Sequence, residues 1–250
     1  MFELISKAFD IILYQPLFNA LVVLYEYIPG HDFGIAVIVF TLAIKFLFYP
    51  LGMKGIAAQK QIQDIQPQIK EIQEKYKDDK AQQAKATMEL YQKEKVNPLS
   101  GCLPLLLQLP ILFALYRVFW KGLNEGQLHY LYSFIPAPSS LNYGFLGLID
   151  LSKTFFITVN DQKGYYWPVL ILAVIVGVAQ YFQTKMASPA KSAPKQSDMA
   201  AAMQKQMLYF LPAFSVLILL NIPAAVALYW LTSTLFTIGQ QYIIFNKKKI

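Results

Sequence analysis

Apolar residues in this chain gather into blocks of about 20, and that block length constrains the fold more than any other feature. A helix rises 1.5 Å per residue, so ~20 residues cross the ~30 Å hydrocarbon layer of a bilayer. Blocks at about 33–53, 98–120, 166–184, 207–221 and 224–245 predict five transmembrane helices. Only 15% of the 250 residues are charged and 56% are hydrophobic, whereas a soluble domain carries roughly 25% charged residues. The predicted class is an all-α integral membrane protein. The fourth block spans ~22 Å as helix, so it must tilt among partners or thin the bilayer. Between the fourth and fifth blocks, Asn221 and Pro223 predict a tight turn that makes those two helices neighbours.

Lysine and arginine in the connections set the orientation. Segment 54–97 holds nine Lys, 185–205 holds four, and the tail 246–250 holds Lys247, Lys248 and Lys249. These segments share one side, which should be cytoplasmic and in contact with anionic lipids. The 121–165 loop, with Lys121, Lys153 and Lys163, then lies outside.

Residues 1–30 are long enough to span, but Gln15, Pro16, Asn19 and Glu26 interrupt the apolar run. They favour an amphipathic segment lying at the outer interface over a sixth span. A cleaved signal peptide is not expected, because no basic stretch with a small-residue cleavage site is visible. The single cysteine, Cys102, excludes an intramolecular disulfide and reads as a small packing residue.

In the 54–97 segment, Ile62, Ile65, Ile69, Ile72 and Tyr76 step by three and four, forming one narrow apolar helical seam. A second seam is predicted at Ala84, Met88, Tyr91 and Lys95, with Asp78 or Asp79 as N-cap. This is an antiparallel helical hairpin in the cytoplasm, kinked or divided at Pro67, and it serves either as a docking element or as a plain coiled-coil stalk. Asn97 is a suitable cap for the second span, with Pro98 tolerated in its first turn. Pro104 and Pro110 interrupt that helix, where Gln108 offers an internal partner.

Lys45 poses the sharpest question, because it sits inside the apolar first span. A lysine at a helix centre costs about 2.5 to 3.5 kcal/mol on insertion scales. Snorkelling to the inner surface is one answer, but Phe46, Leu47, Phe48, Tyr49 and Leu51 continue the apolar run beyond it. Other polar residues at membrane depth are Thr41, Gln108, Gln180, Gln183, Thr232, Thr234, Gln240 and Gln241. No carboxylate in the predicted spans is available to Lys45, so its charge calls for water, amides or an incoming anionic group. The sequence shows no ligand-spaced His, Cys, Asp or Glu cluster, no intramembrane Asp pair, no nucleophile elbow and no HExxH. No catalytic, cofactor or metal site is therefore predicted.

The stretches "GIAVIVFTLAIKFLFYPL", "IQPQIKEIQEKY", "EKVNPLSGCLPLLLQLPILFALY", "YFQTKM" and "LYWLTSTLFTIGQQYI", in this order, resemble the insertase family of bacterial YidC and its mitochondrial and chloroplast relatives. The resemblance runs from about Gln15 to Lys248. It implies a five-helix core around a hydrophilic groove open to cytoplasm and lipid. Lys45 stands where the family carries a groove Arg, keeping the charge without the planar fork. Gln183 and Trp230 match further groove residues. Ala225 replaces a usual Gly, and Thr234 a usual Asn.

The resemblance implies a non-enzymatic insertase and chaperone of a bacterial inner membrane that helps nascent membrane proteins move short hydrophilic segments across the bilayer. The ribosome, the Sec translocon and the signal-recognition targeting machinery are the implied partners, met at the cytoplasmic hairpin. The long basic tail and large outer domain of some relatives are not seen. Two alternatives stand beside it: a translocon-associated chaperone without autonomous insertion, and a small transporter, for which no internal repeat is apparent.

Overall fold

The computed structural model describes residues 2–97, 103–121, 129–138, 141–159, 161–188 and 206–246. The expectations for Pro98, Cys102, the basic residues of 191–205 and the tail lysines lie outside the described residues. The fold is mostly helical. Helix α1 (Phe2–Phe9) passes through a π-helical turn at Asp10–Tyr14 into α2 (Gln15–Tyr27). Then follow α3 (Phe33–Leu47), α4 (Tyr49–Asp64), α5 (Gln66–Lys75), α6 (Lys80–Lys93) and α7 (Leu103–Lys121). Two small hairpins come next: β1 (Gly144–Phe145) with β2 (Ile149–Asp150), and β3 (Phe156–Val159) with β4 (Gln162–Tyr165). Helix α8 (Trp167–Ala187) leads to a π-helical turn at Gln206–Phe210, which opens α9 (Leu211–Leu219), and α10 (Ala224–Asn246) closes the described chain.

Helix α8 is the centre of the bundle: α9 and α10 both pack along it, and α3 packs on α10 from another side. The close approach of α9 depends on Gly177, where an added Cβ would lie 2.6 Å from Val216 Cγ2. The tight turn at Asn221 and Pro223 is present, yet α9 and α10 lean on α8 far more than on each other. Segment 151–155 ties the ends of these helices together. Phe155 N–H donates to Leu220 O (3.1 Å), Ala224 N–H to Lys153 O (2.9 Å) and Ala225 N–H to Leu151 O (3.0 Å). Ala225 is enclosed there at 1% exposure.

The stretch predicted as one span over 33–53 is not one straight helix: the helical run breaks at Phe48, and α4 leaves α3 at a bend of 69°. Pro50 explains the break, since it has no N–H for the carbonyl of Phe46 and stands in the first turn of α4, where that loss costs nothing. Pro110, by contrast, sits inside α7 without ending it. The polar residues of the N-terminal segment do not break it either. Ser6–Tyr27 forms 22 continuous helical residues, long and apolar enough to cross a membrane by length and composition, as is α8. Gln206–Leu219 is a shorter apolar helix, as the fourth block suggested.

The hairpin of α5 and α6 forms as an antiparallel pair with Asp79 as N-cap, its carboxylate accepting from Gln82 N–H at 2.9 Å. The break at Ile65 followed by Pro67 in the first turn of α5 divides the helix where the sequence suggested. Ile65, Ile69, Leu90 and Val96 are its small core, with Ile62, Ile72 and Tyr91 packed against them. Tyr76 is half-buried. The α6 seam is corrected: Met88 is 53% exposed, and Leu90 occupies the inner face one turn on from Ala86 and Thr87.

Candidate functional site

Helix α10 carries its polar residues on one face. Ser233, Thr234, Thr237, Gln240 and Gln241, together with Trp230, recur at spacings of three and four and so share an arc of about 120°. The same helix packs on α3, α4 and α8, so this polar stripe lines their seam. In that seam the Lys45 ammonium of α3 donates to Thr237 Oγ1 at 3.3 Å. Thr237 can accept because its own hydroxyl proton is already committed to Ser233 O at 2.9 Å. Lys45 has two further donors, and among the described residues no carboxylate pairs with it.

Burial changes along the seam. Toward the N-terminus of α3 from Lys45, Thr41, Val37 and Ala36 are at 0% exposure, and Ala224 to Tyr229 on α10 are enclosed with Val169, Leu172, Ala173 and Val176 of α8. At Lys45 and Thr237 both side chains become half-buried. Toward the C-terminus of α10, Gln240 and Gln241 are covered again, Gln240 lying against Gly52 of α4. Two amide oxygens here, Gln180 Oε1 of α8 and Gln241 Oε1, are buried without a hydrogen-bond partner among the described residues. Each such acceptor costs about 1 to 3 kcal/mol until a donor reaches it.

Helix α4 closes the end of the seam at the C-termini of α10 and α8. Lys60 donates to Ile244 O at 2.8 Å, and Gln63, one turn on, donates to Ser188 O at 2.6 Å. Both satisfy carbonyls at or beside the C-termini of α10 and α8, and the ammonium also complements the negative end of a helix dipole. Thr237 lies seven residues before Ile244 and Gln180 eight before Ser188, so both polar side chains sit ~11 Å along their helices from these carbonyls.

The sequence-predicted site residues divide accordingly. Lys45, Thr234 and Trp230 belong to the seam. Thr41 is one turn from Lys45 on the same face, but its hydroxyl is spent on Val37 O at 2.6 Å inside the packed region. Gln108 donates to Tyr229 Oη, joining α7 to α10, and does not answer a carbonyl freed by Pro110. Gln183 is half-buried one turn beyond Gln180. Sequence reasoning missed Thr237, which the three-and-four spacing through Ser233 and Gln241 would have found. It also missed Arg117, the only arginine of the chain. Its guanidinium forms a two-pronged ion pair with Asp10, donates to Tyr130 Oη at 3.1 Å and lies 4.3 Å over the Tyr14 ring. Tyr130 Oη in turn donates to Asp10 Oδ2 at 3.0 Å.

A family model described as 60Kd inner membrane protein matches residues 23–250. The chain is 35% identical over 235 residues to the membrane protein insertase YidC of Syntrophus aciditrophicus, covering 94% of this chain and 36% of that relative. It is 34% identical to the protein of the same name from Geobacter metallireducens, covering 96% and 39% of the two chains. With that of Francisella tularensis subsp. novicida it is 36% identical, covering 85% and 32%. The chain thus spans between about a third and two fifths of the length of these relatives.

Proposed function

Because the chain belongs to the 60Kd inner membrane protein family, alongside the YidC insertases, we propose that the seam between α3, α8 and α10 is a groove that receives hydrophilic segments of nascent membrane proteins. The observation that carries this reading is the half-buried Lys45 ammonium, held by Thr237 with no carboxylate partner among the described residues. Two buried amide oxygens on the helices of the same seam, Gln180 Oε1 of α8 and Gln241 Oε1 of α10, lack donors among the described residues. A polar segment stranded in hydrocarbon loses several kcal/mol for each unsatisfied group. A seam with free donors and acceptors part-way across lowers that barrier and needs no covalent step. Lys45 attracts an acidic residue of the guest weakly enough to release it, while the guest's apolar segment slides into lipid.

The topology that accompanies this proposal has five spans: α3 with the start of α4, then α7, α8, α9 with its preceding turn, and α10. Segment 1–30 lies along the outer side. Its hydrogen bonds support that placement over a sixth span, since they join it along its length to the same outer connection. Asp10 meets Tyr130, Asn19 holds Tyr130 O and Tyr132 N, and Tyr25 Oη receives Asn142 N–H. The α5–α6 hairpin projects on the inner side as the docking element for ribosome, Sec translocon or targeting machinery. In a bacterial inner membrane its lysines face the cytoplasm and anionic lipids.

The test is insertion of a single-span client with an acidic outer tail into liposomes containing only this protein, read by protease protection of the tail. Protection that falls with Lys45→Ala and returns with Lys45→Arg is expected. No protection above empty liposomes by correctly folded protein overturns autonomous insertion and favours a translocon-dependent chaperone.

A further inference from the structure

The β3–β4 hairpin runs directly into α8: Tyr165 ends β4 and Trp167 begins the helix. Its register pairs Phe156 with Tyr165 and, two residues further along, Thr158 with Lys163. Side chains alternate along a strand, so both rungs project from one face of the ribbon. The face therefore grades from an aromatic rung beside the helix end to a lysine rung ~7 Å farther away. The base is fixed to the bundle. Phe155 is buried and stacks on Tyr165 at 5.2 Å between ring centroids, and Trp167 meets it edge-on at 5.7 Å. Tyr166 N–H donates to Phe155 O at 2.8 Å, and Phe155 N–H to the O of Leu220, the C-cap of α9.

On this rigid base the outward rings stay uncovered: Phe156 is 53% exposed, Tyr165 59% and Trp167 60%. An isolated two-stranded hairpin is only marginally stable in water. We propose that this hairpin is an interfacial anchor, seated in the membrane leaflet at the Trp167 end of α8, with Phe156, Tyr165 and Trp167 among the upper acyl chains and Lys163 at the lipid phosphates.

Three observations favour lipid over a protein partner. The patch is continuous with the end of a helix long and apolar enough to span, which is where the boundary of the bilayer falls. Tyr and Trp are the residues enriched at that boundary, because their rings are amphipathic. The polarity along the ribbon follows the bilayer's own gradient, apolar near the helix end and cationic one rung out, matching anionic phosphates in charge. The inference rests on α8 crossing the membrane and is independent of the groove.

The test places a nitroxide label on the full chain, in a Cys102→Ser background, at Phe156→Cys and separately at Lys163→Cys. The protein is reconstituted in vesicles of phosphatidylcholine and phosphatidylglycerol. Collision with oxygen exceeding collision with a water-soluble nickel chelate severalfold at 156, with the two near parity at 163, is the expected result. Water-like nickel access at both positions overturns the proposal, because the hairpin then stands free. Exclusion of both reagents at both positions also overturns it, in favour of a protein partner or second copy. Tyr165→Cys, the cross-strand neighbour, gives the same reading where loss of Phe156 disturbs the ribbon. A label at Ile171 of α8, 61% exposed, reports separately whether the helix itself lies in lipid.

Discussion

Neutralising the Arg117–Asp10 pair should loosen the N-terminal helix from the bundle by a measurable and non-additive amount. The two side chains are 26% and 17% exposed, between a surface pair and a buried one. Surface pairs contribute about 0 to 1 kcal/mol, and breaking a buried pair from one side costs about 3 to 5 kcal/mol. An intermediate loss of about 2 kcal/mol follows for Asp10→Asn or Arg117→Gln, or roughly 30-fold in the opening equilibrium. Amide hydrogen exchange over residues 11–19 in reconstituted protein reads that opening directly. Because each single change breaks the same pair and strands the opposite charge, the double variant should exchange little faster than either single. The coupling energy is then about 1 to 2 kcal/mol. Additive losses, or exchange that is unmoved by either change, would refute the assignment of this pair as the clamp.

Leu90→Ala should destabilise the α5–α6 hairpin by about 2 kcal/mol, whereas Met88→Ala should leave it within about 0.5 kcal/mol, measured by exchange or limited proteolysis of that segment. Asp79→Ala removes the N-cap of α6 and should cost about 1 kcal/mol in the same assay. Gly177→Ala drives a methyl into Val216 and should lower thermal stability by about 1 to 3 kcal/mol, with Val216→Ala restoring much of it. Lys60→Met with Gln63→Ala should speed exchange of α4 by about two to three orders of magnitude while leaving the N-terminal half of α8 unchanged, since bonds to a charged donor contribute about 1.5 to 3 kcal/mol and neutral ones about 1 kcal/mol.

The helical blocks were legible as helices because apolar runs of about 20 residues are too long for strands. The α5–α6 pair was legible through the spacing of its isoleucines, and Asp79 through cap chemistry. The bend at Phe48 was not, because hydropathy continues unbroken through Pro50 and only the missing N–H marks the break. Met88 misled because an apolar residue at helical spacing was given to the inner face, although Leu90 with Ala86 and Thr87 satisfies the same period. In the seam, Lys45 was visible as an isolated cation, but its partner was not. Thr237 looks like any threonine of an apolar helix until α10 is rotated onto α3. The Asp10–Arg117 clamp joins residues 107 positions apart, a separation that local pattern reasoning does not bridge.

The central claim is that the seam at Lys45 and Thr237 is wet and reached from one side only. In a Cys102→Ser background, the Thr237→Cys variant in sealed vesicles of known orientation is treated with a membrane-impermeant maleimide from either face, with Leu235→Cys, 54% exposed on the face of α10 opposite the polar stripe, as the reference. Rapid labelling of position 237 from the inner face, slow labelling from the outer face and none at 235 is the expected outcome. Position 237 as inert as 235 from both faces would mean a dry seam and would contradict the groove.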